Sequence, residues 1–234
     1  MRIRWIEAPA VLIGGALFMV SAVAEASALD GKALIEERCA ACHDLTGPAP
    51  ATFAGLLKRK APDLFYAGSK FKRSWLAGWL RNPTLIRPSG VMFLNHIVVE
   101  GGKDRIAADT LKTCQANLDR EEAEAAADHL MTLVDASMKT GVIDPAKKFS
   151  TPKGRRLFTK QLPCIACHTA KFGKRTMGGI SGPDLTKAGK RLNPDWVYAR
   201  IADPQYWDPM TWMPKIEMSH RKRELLTLLI GSME

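Results

Sequence analysis

One stretch of this chain occurs twice, and that fact limits its fold more than any other. Residues 62–92 align without a gap on residues 183–213, with nine identities in the 31-residue window. Pro62-Asp63-Leu64 matches Pro183-Asp184-Leu185, Ala67-Gly68 matches Ala188-Gly189, and Trp75 matches Trp196. Pro83, Pro88 and Met92 match Pro204, Pro209 and Met213. Most of these are rare or conformationally special residue types, so the match indicates a duplicated domain. Convergence of two unrelated units predicts neither the constant spacing nor both tryptophans. The 234 residues are long enough for two small cores.

Upstream of each copy stands a second shared feature. Cys39-Ala40-Ala41-Cys42-His43 and Cys164-Ile165-Ala166-Cys167-His168 are both C-x-x-C-H, the attachment sequence for c-type haem. Two thiols one helical turn apart each reach a vinyl group of one porphyrin and form thioethers, and the next residue projects an imidazole to the iron. Two other uses of such residues compete. A thioredoxin-like redox pair belongs at a strand-to-helix junction in a βαβ pattern, which the sequence lacks. A zinc site would need the two distant halves to converge. The expected cofactors are therefore two covalently bound haem c groups, held by Cys39, Cys42, Cys164 and Cys167, with His43 and His168 on the irons.

The N-terminus reads as an address. Arg2 and Arg4 precede an uncharged run over residues 8–24, and Ala26-Ser27-Ala28 supplies small residues for cleavage. That order is the layout of a secretory signal over residues 1–28. The run sits at the lower limit for a spanning helix, so membrane attachment is expected only where the segment is left uncleaved. The mature chain keeps a net charge of +10 and is expected in the periplasm. Covalent attachment suits export, because the cofactor cannot be lost to the medium.

Apolar spacing, glycines and prolines divide each copy into helices. The leading helices are expected over 31–38 and 154–161, with Pro163 distorting the end of the second. Middle helices are expected over 73–81 and 195–202, each stopped by a proline two residues later. Closing helices are expected over 121–134 and 221–233. No strands are apparent, so the fold class is expected to be all-α. Two tandem helical domains, 29–138 and 153–234, are joined by a short linker over 139–152.

With these motifs in place, the chain resembles the class I cytochrome c family in its tandem, dihaem form. The resemblance covers nearly all of the mature chain. It implies that the carbonyls of Pro62 and Pro183 accept a hydrogen bond from the proximal imidazoles and fix their tautomer. It also places Trp75 and Trp196 against haem propionates, although packing in the core explains a tryptophan equally well. Trp212-Met213-Pro214 matches the family's distal Met-Pro, which makes Met213 the expected sixth ligand of the second iron, ahead of Met210 and Met218. A thioether favours ferrous iron and raises the potential.

The first iron has three candidates. Met92 is the repeat counterpart of Met213, but Phe93 follows it where a proline is expected, and an insertion of some eighteen residues (roughly 94–111) separates it from the closing helix. If the insertion precedes the ligand, Cys114 stands where the family carries Met. His96 would give bis-His ligation. Cys114 is also the odd cysteine of five.

Basic residues cluster beside both motifs: Lys58, Arg59, Lys60, Lys70, Lys72 and Arg73 in the first domain, and Lys171, Lys174, Arg175, Lys187, Lys190 and Arg191 in the second. They suggest a rim for docking an acidic redox-partner protein by salt-screened attraction. Nucleic acid is not an expected partner, given the export signal and the lack of a binding motif. No nucleophile or general-base constellation appears. The expectation is a periplasmic dihaem cytochrome relaying single electrons, as a shuttle or as the cytochrome subunit of an oxidoreductase complex. The other reading is a dihaem enzyme acting on sulfur compounds such as thiosulfate, with Cys114 on the first iron.

Overall fold

The computed structural model describes residue 1 and residues 29–234; the expected signal segment lies outside the described residues. In chain order the elements are α1 (Gly31–Arg38), α2 (Phe53–Leu57), α3 (Ala67–Lys70), α4 (Arg73–Arg81), β1 (Ile97–Glu100), β2 (Lys103–Ile106) and α5 (Arg120–Thr132). The second copy follows with α6 (Thr151–Arg156), α7 (Cys164–Cys167), β3 (Ala170–Phe172), β4 (Arg175–Met177), α8 (Ala188–Arg191), α9 (Pro194–Ala202) and α10 (His220–Gly231). A π-turn over Leu157–Gln161 extends α6, and Pro163 caps the short α7.

The all-α expectation is corrected by two antiparallel hairpins, β1–β2 and β3–β4. Ile97-Val98-Val99 is β-branched, and the Gly101-Gly102 turn that follows has φ of 58° and 73°. Two consecutive positive φ values are what a two-residue hairpin turn needs, and glycine adopts them without strain. The second hairpin turns at Gly173, also at positive φ.

Each copy is built on a crossing of its leading and closing helices. A Cβ on Gly31 would lie 2.0 Å from the Ala125 carbonyl oxygen, and one on Gly154 would lie 3.3 Å from the Leu229 side chain. The helices are capped as their sequences dictate: Asp30 accepts from Lys32 and Ala33, Asp119 and Glu122 form a capping box on α5, and Ser219 caps α10.

The repeated residues have repeated jobs. Leu64 N–H donates to the Asp44 carbonyl at 2.8 Å and Leu185 N–H to that of Thr169 at 2.9 Å, so each Pro-Asp-Leu loop is tied to the residue just after a motif histidine. Gly68 N–H donates to the Leu133 carbonyl and Gly189 N–H to that of Met233. These glycines touch the end of the closing helix: a Cβ would meet the Met131 or Gly231 carbonyl oxygen at 2.2 or 2.1 Å.

The copies pack around an approximate two-fold axis. Phe71 and Leu192, which occupy the same place in the two copies, form an antiparallel bridge. Lys72 N–H donates to the Arg191 carbonyl and Asn193 N–H to the Lys70 carbonyl, each at 2.9 Å. Tyr66 of the first copy inserts into the second core, where its ring lies 5.8 Å from that of Trp207. The linker is fastened down: the N–H groups of Gly141, Val142 and Ile143 donate to the buried Asp195 carboxylate at 2.7, 3.0 and 2.9 Å.

Candidate functional site

Both C-x-x-C-H segments coil into one helical turn. His43 N–H donates to the Cys39 carbonyl at 2.9 Å and His168 N–H to that of Cys164 at 3.0 Å, which sets the two thiols of each motif one turn apart. Cys39 is buried at the end of α1, Cys164 is half-buried, and Cys42 and Cys167 are exposed; none is in a disulfide. Burial raises the Cys39 thiol, assisted by Cys114, and pushes Cys164 up to about 11, assisted by Cys167. A redox-active Cys-x-x-Cys pair is tuned in the opposite direction, toward thiolate.

The imidazoles are oriented alike. His43 Nδ1–H donates to the Pro62 carbonyl at 2.6 Å, and His168 Nδ1–H to the Pro183 carbonyl at 2.9 Å. A carbonyl only accepts, so the proton sits on Nδ1 and each Nε2 keeps its lone pair. Burial lowers both histidine pKa values and outweighs the proline carbonyls. Both rings are therefore neutral at pH 7, the form that binds iron. Gly182 makes room for the second ring: a Cβ there would lie 2.7 Å from His168 Cε1 and 2.8 Å from Nδ1.

Distal residues approach from the loops after α4 and α9. Met92 is buried and precedes the 3₁₀ turn Phe93–His96, while Met213 is half-buried against the second core. Their neighbours Phe93 and Trp212 meet edge to face at 5.0 Å, so the two loops touch. Met210 is half-buried, and Met218 packs against the second core. His96 is engaged in holding the insertion: its Nδ1 bonds Thr110 Oγ1 at 2.8 Å, and its other edge lies against Gly90, where a Cβ would be 2.5 Å from Nε2. Cys114 is half-buried, and its influence raises the Cys39 thiol. Counted back from the caps of the closing helices, Cys114 and Met213 occupy nearly the same place, five residues before Asp119 and six before Ser219. Met92 and Cys114 are thus a buried and a half-buried sulfur on the segment between α4 and α5.

Trp75 and Trp196 lie at the junction of the copies. Lys70 Nζ stands 5.2 Å from the Trp196 ring and Arg191 Cζ stands 5.9 Å from the Trp75 ring, each cation coming from the same place in the other copy. This overturns part of the expected basic rim. Arg59, Lys70 and Arg191 are not exposed; with Arg87 and Arg200 they form a largely buried group, in which Lys70 acts on His43 while Arg87, Arg191 and Arg200 act on His168. Lys72 donates to the Gly189 carbonyl at 2.6 Å, and Arg73 pairs with Asp128 and Glu124. Lys58 and Lys60 stay exposed in the first copy, and Lys171, Lys174, Arg175, Lys187 and Lys190 in the second. The sequence showed these cations as a run beside the motifs. It carried no sign that Arg87, Arg200, Tyr66 and Asp208 join them, because that follows from how the copies dock.

The buried cations are under-compensated. Arg59 pairs with Asp63 at 2.7 Å and Asp208 at 3.3 Å, and Arg200 reaches Asp208 at 3.8 Å. Among the described residues, Arg191 and Arg87 donate only to backbone carbonyls, of Asp184 and Val91. Burial, with repulsion from Arg191, Arg200 and Arg87, pushes Lys70 down to about 7. Among the described residues, Arg59 Nε, Arg200 Nη1 and Trp196 Nε1 are buried without a hydrogen-bond partner. Buried donors of this kind call for anionic acceptors. A haem brings two carboxylates, so the residues present fit two such groups. Among the described residues, no three or more His, Cys, Asp or Glu side chains form a group that could hold a bare metal ion.

Comparison with family models, with curated proteins and with solved structures finds no match to this chain.

Proposed function

We propose that the chain is an exported dihaem protein of the class I cytochrome c kind, relaying single electrons between redox partners. One observation carries this reading. Twice, a one-turn pair of thiols is followed directly by an imidazole whose Nδ1–H is held by a proline carbonyl and whose Nε2 is left to bind. Each bound haem would supply a one-electron couple at its iron.

The chain's own residues do the rest. Cys39, Cys42, Cys164 and Cys167 hold the groups, Pro62 and Pro183 keep the imidazoles aimed, and burial keeps them neutral. The cations between the copies offset propionate charge. The fixed linker and the bridge at Phe71 and Leu192 hold the two sites in one relation, which limits rearrangement on electron transfer. The test is direct. Intact mass and the pyridine haemochrome spectrum should show two attached haems per chain, one after Cys39→Ala with Cys42→Ala, and none after all four substitutions. A colourless exported chain overturns the reading.

The place of Cys114, five residues before the cap of its closing helix where Met213 stands six before its own, favours a second reading, an enzyme acting on sulfur compounds through a thiolate-ligated first iron. Low-temperature EPR separates the two. A low-spin thiolate signal removed by Cys114→Ser supports the enzyme, and a His/Met signature removed by Met92→Ala supports the relay.

A further inference from the structure

The second copy has a cavity with no counterpart role in the proposed electron relay. It measures about 920 Å³ and lies between α6, the π-turn after it, the β3–β4 hairpin and the end of α10. Its walls carry Arg155, Arg156, Lys160 and Lys171, all exposed, and no Asp or Glu lines it. Among the described residues, none of the four is in an ion pair. The cavity also has an apolar side. Arg155 lies over the Phe172 ring at 5.2 Å, and Leu229 and Met233 also line it.

The repeat shows that the fold does not require these charges. Counted from the helix-crossing glycines Gly31 and Gly154, the places of Arg155, Arg156 and Lys160 are held in the first copy by Lys32, Ala33 and Glu37. The imbalance extends across the molecule. Residues 29–138 carry 14 basic and 14 acidic side chains, whereas residues 139–234 carry 18 against 8, so the net +10 of the mature chain resides in the second half. A concave site with four free cations and an apolar wall fits a protruding segment whose carboxylates alternate with apolar side chains.

We propose that this cavity docks an acidic, partly apolar segment of a partner protein. A second copy of the chain is a poor occupant. It brings the same positive half, and Glu122, Glu124 and Asp128 on its α5 are already held by Arg38 and Arg73. The proposal stands whether or not the chain carries haem.

The test is isothermal titration of the full chain, as purified, with a synthetic peptide of alternating Glu and Leu. Arg155→Glu with Lys171→Glu should weaken binding by about tenfold or more. Lys103→Glu with Arg105→Glu, an equal charge change on the exposed β2 strand, should weaken it by less than about twofold. Lys160→Glu with Lys171→Glu, which spares the Arg155–Phe172 contact, should repeat the first result if Arg155 proves necessary for folding. A peptide with Gln for every Glu should bind at least about tenfold more weakly. Equal losses from the cavity and control pairs overturn the proposal, because net charge alone then explains binding. It is also overturned by undetectable peptide binding, by anionic lipid vesicles being bound while the peptide is not, and by self-association that the cavity variants abolish.

Discussion

Gly182→Ala probes the second imidazole without touching it. The new Cβ would sit 2.7 Å from His168 Cε1, 2.8 Å from Nδ1 and 3.0 Å from the Cys167 carbonyl oxygen. Carbon contacts settle near 3.5–4.0 Å, so the ring must retreat by about 1 Å. Retreat stretches the 2.9 Å bond to Pro183 beyond hydrogen-bonding range. Losing that bond costs about 0.5–1.5 kcal/mol and the overpacking about 1–3 kcal/mol, so a total of about 1.5–4.5 kcal/mol is expected. Urea unfolding reads the stability, and optical and EPR spectra of the haem-loaded protein read the ligation. The second site should change while the first serves as an internal reference. Gly78→Ala is the control, since nothing lies within 4 Å of its added Cβ. A helical position of that kind should gain up to about 1 kcal/mol. If Gly182→Ala matches Gly78→Ala in stability and leaves both spectra unchanged, the placement of His168 against Gly182 and Pro183 is refuted.

Three further outcomes are expected. Asp195→Ala strips the acceptor from three linker N–H groups, of which only that of Ile143 is fully buried. Urea unfolding should show a loss of about 3–5 kcal/mol, with faster proteolysis of residues 139–150; a loss under about 1 kcal/mol contradicts the clamp. Gly189→Ala forces a Cβ to 2.1 Å from the Gly231 carbonyl oxygen and should cost about 1–3 kcal/mol or more, read as a lower thermal midpoint. In protein without prosthetic groups, Lys70 falls from 10.5 to about 7 on folding. Between those values the unfolded chain holds the extra proton, so stability should rise with pH by up to about 1.4 kcal/mol per unit. Lys70→Met should remove the rise, and bound carboxylates should diminish it. Identical pH slopes with and without Lys70 in the unloaded protein would count against its burial among cations.

Where local pattern decides, the sequence was readable. The Asp-Gly start of α1 and the prolines after α4 and α9 set boundaries that the structure reproduces almost to the residue. The hairpins were missed, although Ile97-Val98-Val99 followed by Gly101-Gly102 is a turn signal flanked by β-branched residues. They lie in places where helical spacing simply lapses, and a lapse reads as loop. The site divides in the same way. The motif residues and the prolines that hold them were identifiable from spacing and resemblance. The roles of Lys70, Arg87, Arg191 and Arg200 were not, because each depends on a surface of the other copy. A lysine in a run of lysines gives no sign that a neighbouring domain will cover it.

The reciprocal bonds at Phe71 and Leu192 describe a homodimer closed within a single polypeptide. Two identical subunits on a two-fold axis are bound to change together, since every substitution appears on both sides. Tethered copies escape that constraint while keeping the geometry that symmetry provides. One half can stay electrically balanced while the other gathers the positive charge, so the two faces of the molecule offer a partner different surfaces.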